Sequence, residues 1–147
     1  MQKKTMEILD YRYKLSKPKE TPINGVGDLV EYFKKHFTRS ADEKAIVVAL
    51  TENNIVAYSV FRGYKKSVNL ALGQVVRLAS ITNCDQIAIL HNHLNNDCTP
   101  SSDDIDATET FRKYLEDIEV GYYGSIIIGT DNSYSFFPAK NDKLLEI

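Results

Sequence analysis

Apolar side chains recur along this chain with two different periods, which predict where its strands and helices lie. Alternating or continuous apolar runs predict strands, because successive side chains of a strand point to opposite faces. The predicted strands cover residues 9–15, 45–51, 55–61, 86–90, 123–128 and 134–137. Apolar residues three and four positions apart predict helices with one buried face. The predicted helical faces cover residues 26–37, 68–79 and 105–118.

The order of these elements predicts an α/β fold in one domain, residues 1–147. The run at 86–90 is apolar after its first residue, which is typical of a central strand covered on both faces. Helices that alternate with such strands pack on the faces of a sheet, so we expect a mixed sheet in an α/β sandwich. An N-terminal arm at 1–22 contains the first strand as an edge strand, and a polar tail occupies 140–147.

Local signals predict where individual elements begin and end. Glu52-Asn53-Asn54 separates two predicted strands and is typical of a tight hairpin turn. Ser67 is a predicted helix cap, and Gly121 is a predicted helix stop. Residues 17–22 have the composition of a linker.

Composition and charge exclude several classes of protein. The formal net charge is −2, so nothing draws the whole chain toward nucleic acid, and we do not expect DNA as a partner. No apolar stretch approaches the length that spans a bilayer, and no apolar region follows the N-terminal lysines as a secretory signal would require. Two cysteines, Cys84 and Cys98, indicate no disulfide framework, so we expect a cytoplasmic location.

A histidine pair after the predicted central strand suggests metal binding. His91 and His93 directly follow the predicted central strand, and residues two apart on an extended segment point to the same side. Asp104, on the next helix, can bring a carboxylate as a third ligand. Two imidazoles, one carboxylate and an open position form the layout of a catalytic zinc site.

The same residues also suit simpler roles. The histidines can be solvated loop residues, and Ser101 can cap the helix with Asp104 at its third position. The third histidine, His36, follows two lysines at the end of the first predicted helix, where we expect a surface residue rather than a ligand.

Four short motifs together are more specific than the histidine pair alone. They are Phe61-Arg62-Gly63, His91-Asn92-His93, Thr99-Pro100-Ser101 and Asp104. With this spacing the chain resembles the RadC family, a branch of the JAB/MPN (JAMM) metalloprotease-like fold. The resemblance implies a three-layer α/β/α sandwich of the cytidine deaminase-like type. It also implies that His91, His93 and Asp104 bind zinc and that Ser101 stabilises an oxyanion.

The chain departs from the family pattern at two places. The resemblance implies a glutamate on an earlier strand, just before Phe61, but the residues there are Ala57-Tyr58-Ser59-Val60. Glu52 lies in the preceding turn, too far along the strand to replace it. Leu94 stands where the family has a proline. Since losing a general base costs about 10²- to 10⁴-fold in rate, we expect weak hydrolysis or none.

Nearby residues offer substitutes for the expected base or for a fourth ligand. Cys98 is either a fourth zinc ligand, which would close the site, or a small loop residue. Asp97 or Asp103 can act as the base if the loop folds back, although Asp103 also suits the first turn of a helix. Tyr58 can orient a water through its hydroxyl.

Three hypotheses follow from these residues. The first is a RadC-like domain that binds one zinc ion but hydrolyses poorly or not at all. The second is an active metal-dependent peptidase or amidase with a substitute base, acting on a peptide or protein. The third is a protein-interaction module without catalysis, including a pairing of two copies as a homodimer. The family's name is tied to DNA repair, which the charge of this chain does not favour.

Overall fold

A computed structural model describes residues 15–16, 21–38, 40–62 and 72–138, which form strands and helices in mixed order. The strands are β1 (Thr21–Pro22), β2 (Lys44–Thr51), β3 (Asn54–Arg62), β4 (Gln86–Asn92), β5 (Gly121–Ile128) and β6 (Tyr134–Phe137). The helices are α1 (Val26–Phe33), α2 (Leu72–Thr82) and α3 (Ser102–Asp117), and a 3₁₀ turn (Lys34–His36) follows α1. Every predicted strand and helix within the described residues is present, with shifted ends.

The strands form one sheet in the order β1-β3-β2-β4-β5-β6. β4 pairs parallel with β5, whereas the other neighbours are antiparallel. The sheet is therefore mixed, and the predicted position of β4 as a central strand is confirmed. Because β4 lies between β2 and β5, both neighbouring strands fix the position of the residues at its C-terminal end.

Alternate side chains of the strands pack into two separate hydrophobic clusters, one on each face of the sheet. Ile87 and Ile89 of β4 pack with Leu78 of α2 and Leu115 of α3. Ala88 and Leu90, on the opposite face, join a cluster that contains α1; its helical members are Leu29, Val30 and Phe33. Odd-numbered side chains of β4 therefore point toward α2 and α3. The mixed α/β class is confirmed, while the closer three-layer description stays a prediction.

The predicted hairpin is confirmed, but several predicted ends are not. Glu52 and Asn53 have φ values of 50° and 62°, the left-handed conformation that a tight turn between antiparallel strands requires. Gly121 does not stop α3: the helix ends at Asp117, and Gly121 is already the first residue of β5. Glu119, with φ of 61°, makes the turn between them.

Two further sequence predictions change in the folded chain. Ile105 and Ile118, the ends of the predicted α3 face, are 49% and 40% exposed, so that face is shorter than predicted. Part of the predicted linker is strand β1, which pairs with β3 at the edge of the sheet. Ser16, in the arm, forms an antiparallel bridge with Tyr58 of β3.

Some predicted features lie outside the described residues. They are most of the edge strand at 9–15, Gly63, the helix cap Ser67, the start of the face at 68–79, and the tail at 140–147. Among the residues that are described, none of the helices is long and apolar enough to cross a membrane.

Candidate metal centre

The histidine pair lies where β4 ends, held by strands on both sides. His91 pairs with Ala45 of β2 and with Ile127 of β5. The backbone N–H of His93 donates to the carbonyl of Ile128 at 3.0 Å, so His93 stays aligned with β5 beyond the last strand residue. The two rings lie with centroids 5.3 Å apart. As predicted from their spacing, both imidazoles share one side of the segment.

The third member of the group, Asp104, is placed by the start of α3. Ser101 is the N-cap, and its Oγ accepts from the Asp104 N–H at 3.1 Å. The Ser101 N–H donates in return to Oδ2 of Asp104 at 2.9 Å. This reciprocal capping box confirms the predicted cap and fixes the direction of the Asp104 carboxylate. The capping role and the ligand role are compatible, because a carboxylate has about four lone-pair sites.

The Asp104 carboxylate bridges the two imidazoles. Its Oδ1 lies 3.3 Å from Nε2 of His91, and its Oδ2 lies 3.3 Å from Nε2 of His93. One ligand atom from each residue falls within 4.8 Å of the others. Zinc bonds of ~2.0–2.2 Å in tetrahedral geometry would set ligand atoms about 3.4 Å apart. The three side chains therefore fit one metal ion, with two nitrogens and an oxygen as donors.

The ring of His93 is oriented by the main chain of its own loop. Its Nδ1 lies 2.8 Å from the carbonyl oxygen of Asp97. Because a carbonyl can only accept, Nδ1 must carry the hydrogen of this bond. That tautomer leaves Nε2, the atom that faces Asp104, to act as a ligand.

Asp104 stays ionised in this setting. Burial acts to raise the pKa of its carboxyl, but hydrogen bonds from the His91 ring and the Ser101 N–H oppose it, as does the charge of His91. The opposing influences prevail and hold the pKa of Asp104 well below its usual range. A metal ligand must be deprotonated, so this carboxylate is prepared for binding.

A second carboxylate lies beside the group, and our sequence prediction missed it. Burial raises the pKa of the Glu43 carboxyl. The charges of His91 and His93 lower this pKa, and the charge of Asp104 raises it. Glu43 is half-buried. No carboxylate stands just before Phe61 on β3, as the sequence shows, but Glu43 supplies one near the ligands. The sequence prediction did not consider this residue, which directly precedes β2.

The pairing of β2 with β4 explains why Glu43 is there. Ala45 lies opposite His91, so a ladder continued by two residues sets Glu43 opposite His93. Residues two apart on a strand share a face, and Val47 packs in the cluster that contains α2 and α3, so Ala45 and Glu43 continue that face. The acidic pair Asp42-Glu43 before the apolar run at 45–51 is a visible signal, but its meaning depends on which strand β2 pairs with.

The substitutes proposed for the base lie elsewhere or are otherwise engaged. Tyr58 is on the opposite face of β3, where its ring centroid lies 4.9 Å from that of Phe33. Glu52 is in the turn at the far end of β2, roughly 30 Å along the strand from Glu43. Asp97 accepts from the Thr99 N–H at 2.9 Å and is exposed. Asp103 lies in the first turn of α3, as its alternative interpretation predicted.

Cys98 is a loop-packing residue rather than a fourth ligand. Its Sγ lies 3.3 Å from the carbonyl oxygen of Ser133, against the turn between β5 and β6. The group of described residues that can hold a metal contains two histidines and an aspartate but not this cysteine. Ser135 Oγ also donates to the carbonyl of Cys98 at 2.5 Å, so the loop is tied to β6. Among the described residues, three side chains could therefore hold a metal ion, which would leave a position for a non-protein ligand.

His36 lies apart from the histidine pair, but it is half-buried rather than a surface residue as predicted. It lies in the 3₁₀ turn after α1, with its ring centroid 6.1 Å from that of Phe33. It does not belong to the group around Asp104.

A buried chain of hydroxyl groups anchors the start of α3 to β5. Thr108 Oγ1 donates to the main-chain carbonyl of Asp104 at 2.9 Å and lies 2.7 Å from Ser125 Oγ. Ser125 Oγ in turn lies 2.7 Å from the hydroxyl of Tyr122. Thr108, Ser125 and Tyr122 are all buried. Because these hydroxyl groups link the main chain of Asp104 to β5, they help to fix the start of α3 over the sheet.

Comparison of the sequence with known proteins finds a matching family. A family model described as RadC-like JAB domain matches residues 23–143. A UPF0758 protein of Psychrobacter is 34% identical over 108 residues, covering 72% of this chain and 48% of the relative. A UPF0758 protein of Clostridium botulinum is 33% identical over 124 residues, covering 83% and 50%. The chain therefore spans about half the length of the curated relatives it matches.

We predict that Thr108→Val, which removes only the hydroxyl, lowers the free energy of unfolding by about 1–2 kcal/mol, because a buried hydrogen-bonding group loses its partners. Thr110→Val is the matched control: its Oγ1 donates to the Asp106 carbonyl at 2.9 Å in the same way but is exposed. Its effect should stay below about 0.5 kcal/mol. Urea unfolding of both variants would measure the difference, and equal effects would refute a special role for the buried chain.

Proposed function

Because this chain belongs to the family of RadC-like JAB domains, we propose that it is a zinc-dependent hydrolase of amide bonds in a peptide or protein. The observation that carries the proposal is the position of Glu43, half-buried and two residues before Ala45, the partner of His91 in the sheet. The charges of His91, His93 and Asp104 all affect the pKa of its carboxyl. The sequence predicts weak hydrolysis because no carboxylate stands just before Phe61, whereas Glu43 supports the alternative of an active hydrolase with a substitute base.

His91, His93 and Asp104 would hold the metal through two imidazole nitrogens and one carboxylate oxygen. Zinc is the proposed ion because this donor set with an open position is typical of its catalytic sites. When bound, such an ion polarises a carbonyl and makes water more acidic. The Asp97 carbonyl keeps the His93 ring in the ligating tautomer, and the capping box keeps the Asp104 carboxylate turned toward both rings.

Glu43 would move the proton. Its carboxylate takes a proton from the attacking water and then delivers that proton to the nitrogen of the departing amine. The position beside the ligands, immediately before strand β2, suits a group that must serve both steps. Its half-buried setting also limits competing water.

Ser101 would stabilise the carbonyl oxygen as it becomes negative. Its Oγ already accepts from the Asp104 N–H, so the hydroxyl hydrogen can be donated. Ser101 is exposed at the start of α3, next to the ligand Asp104, where a substrate carbonyl can approach. The positive end of the helix dipole adds to the same effect.

Metal content is the first test of this proposal. Protein purified without chelator should contain about one zinc per chain by mass spectrometry, as expected for one three-ligand site. The His91→Ala/His93→Ala double variant should lose it, because two of the three ligands are gone. His36→Ala is the matched control and should keep the metal. Zinc that persists in the double variant, or is absent after zinc is supplied, would contradict the proposed site.

Glu43→Gln tests the proton-transfer role, because the amide keeps the size of the side chain but does not accept the proton. We expect zinc-dependent cleavage of a fluorogenic peptide library to fall about 10²- to 10⁴-fold, with zinc content unchanged. Glu52→Gln, at the other end of β2, should cleave at the parent rate. Retained cleavage by Glu43→Gln would refute the role. A zinc-loaded parent that cleaves nothing would instead favour a binding module without catalysis.

Ser101→Gly tests the oxyanion role without abolishing the helix cap, since glycine is tolerated at an N-cap. We expect kcat on the same substrates to fall about 10²-fold, the usual cost of one oxyanion donor. Ser101→Thr keeps the hydroxyl and should retain most of the rate. Equal rates for the glycine variant and the parent would limit Ser101 to capping.

Three finer statements belong to this proposal as well. They are the three-layer α/β/α sandwich of the cytidine deaminase-like type, a cytoplasmic location, and assembly of two copies as a homodimer. DNA is not a proposed partner, because the formal net charge is −2.

A further inference from the structure

Asn92 stands between the two candidate ligands, but its side chain points away from them. It is 4% exposed, one of only four buried polar or charged residues among those that the structure describes. The rings of His91 and His93 both reach Asp104 of α3, so the intervening residue faces the opposite side of the sheet. A buried carboxamide is costly unless its oxygen and nitrogen are both hydrogen-bonded.

Both ends of that carboxamide bind the main chain around one residue, Glu43. Asn92 Oδ1 accepts from the Lys44 N–H at 2.7 Å. Asn92 Nδ2 donates to the Asp42 carbonyl at 3.3 Å. These two groups belong to the peptide units on either side of Glu43. The orientation of the amide is unambiguous, because an N–H requires the oxygen and a carbonyl requires the NH₂ group.

The contact begins where the strand ladder stops. The pairing of β2 with β4 ends at Ala45 and His91, so Glu43 lies beyond the regular hydrogen bonds between these strands. The Asn92 side chain supplies the next bonds from β4 to the β2 segment. We propose that Asn92 is a positioning residue, whose carboxamide clamps the peptides flanking Glu43 and thereby holds that carboxyl beside His91, His93 and Asp104.

The ligands themselves do not depend on this clamp. β5 holds the end of β4 from the other side: Asn92 pairs with Ile128, and the His93 N–H donates to the Ile128 carbonyl at 3.0 Å. Removing the Asn92 side chain should therefore loosen Glu43 while His91 and His93 stay in place. Because β5 holds the ligands and Asn92 holds the Glu43 segment, the role of Asn92 is separate from metal binding. The inference rests on the proposed function.

Hydrogen exchange tests the clamp without any need for metal or turnover. In Asn92→Ala, the Lys44 amide should lose protection by roughly tenfold or more, because its acceptor is gone. The His93 amide should keep its protection. Asn54→Ala is the matched control: that carboxamide donates to the Thr51 and Glu52 carbonyls at the far end of β2. An unchanged Lys44 amide in Asn92→Ala would overturn the proposal.

Kinetics test whether the clamp acts through Glu43. In the zinc-loaded chain, Asn92→Ala should lower kcat by about 10- to 100-fold, because misplacement of the Glu43 carboxyl by ~1 Å can cost that much in rate. KM and zinc affinity should change less than about threefold. In a Glu43→Gln background the same substitution should add less than about threefold. A full additional loss there would overturn the proposal. A parent that binds zinc but cleaves nothing would refute the proposed function alone, because the exchange result still decides whether Asn92 holds this segment.

Discussion

The antiparallel pairing of β2 with β4 is the constraint on which the candidate centre depends. It sets Ala45 opposite His91 and so brings the segment before β2 to the end of β4. Ala45 offers only a methyl group beside an imidazole. The same pairing sends alternate residues of both strands into separate hydrophobic clusters, so the face of each functional side chain is fixed by the burial of its neighbours. A slip by one residue would turn both histidines to the wrong face.

The centre also depends on how α3 begins. Asp104 serves the helix as the third residue of a capping box and serves the site as the carboxylate between two rings. These roles reinforce each other, because the cap that stabilises the helix also orients the ligand. The buried hydroxyls of Thr108 and Ser125 then hold this first turn to β5. One arrangement therefore accommodates both the capping role of Ser101 and Asp104 and the ligand role proposed for Asp104.

The loop between β4 and α3 is short of regular structure but rich in specific contacts. The His93 ring meets the Asp97 carbonyl, and the Cys98 sulfur packs against Ser133. Gly129 leaves room for this packing, since a Cβ there would lie 3.1 Å from both Cys98 Sγ and the Asn95 carbonyl oxygen and would crowd them. Such contacts hold the two ligand-bearing elements in register, and they use Cys98 for packing instead of coordination.

The sequence by itself determined the local features: the strand and helix positions, the hairpin at Glu52 and Asn53, the capping box, and the His-x-His pair with a distant aspartate. Each of these depends on residues close together in the chain or on a periodicity that burial enforces. Only the tertiary structure decided that Glu43, rather than a residue before Phe61, accompanies the ligands. It also decided that Tyr58 faces away and that Asn92 reaches back to β2. These facts depend on which strands are neighbours and in what register, and that is set by packing across the whole sheet.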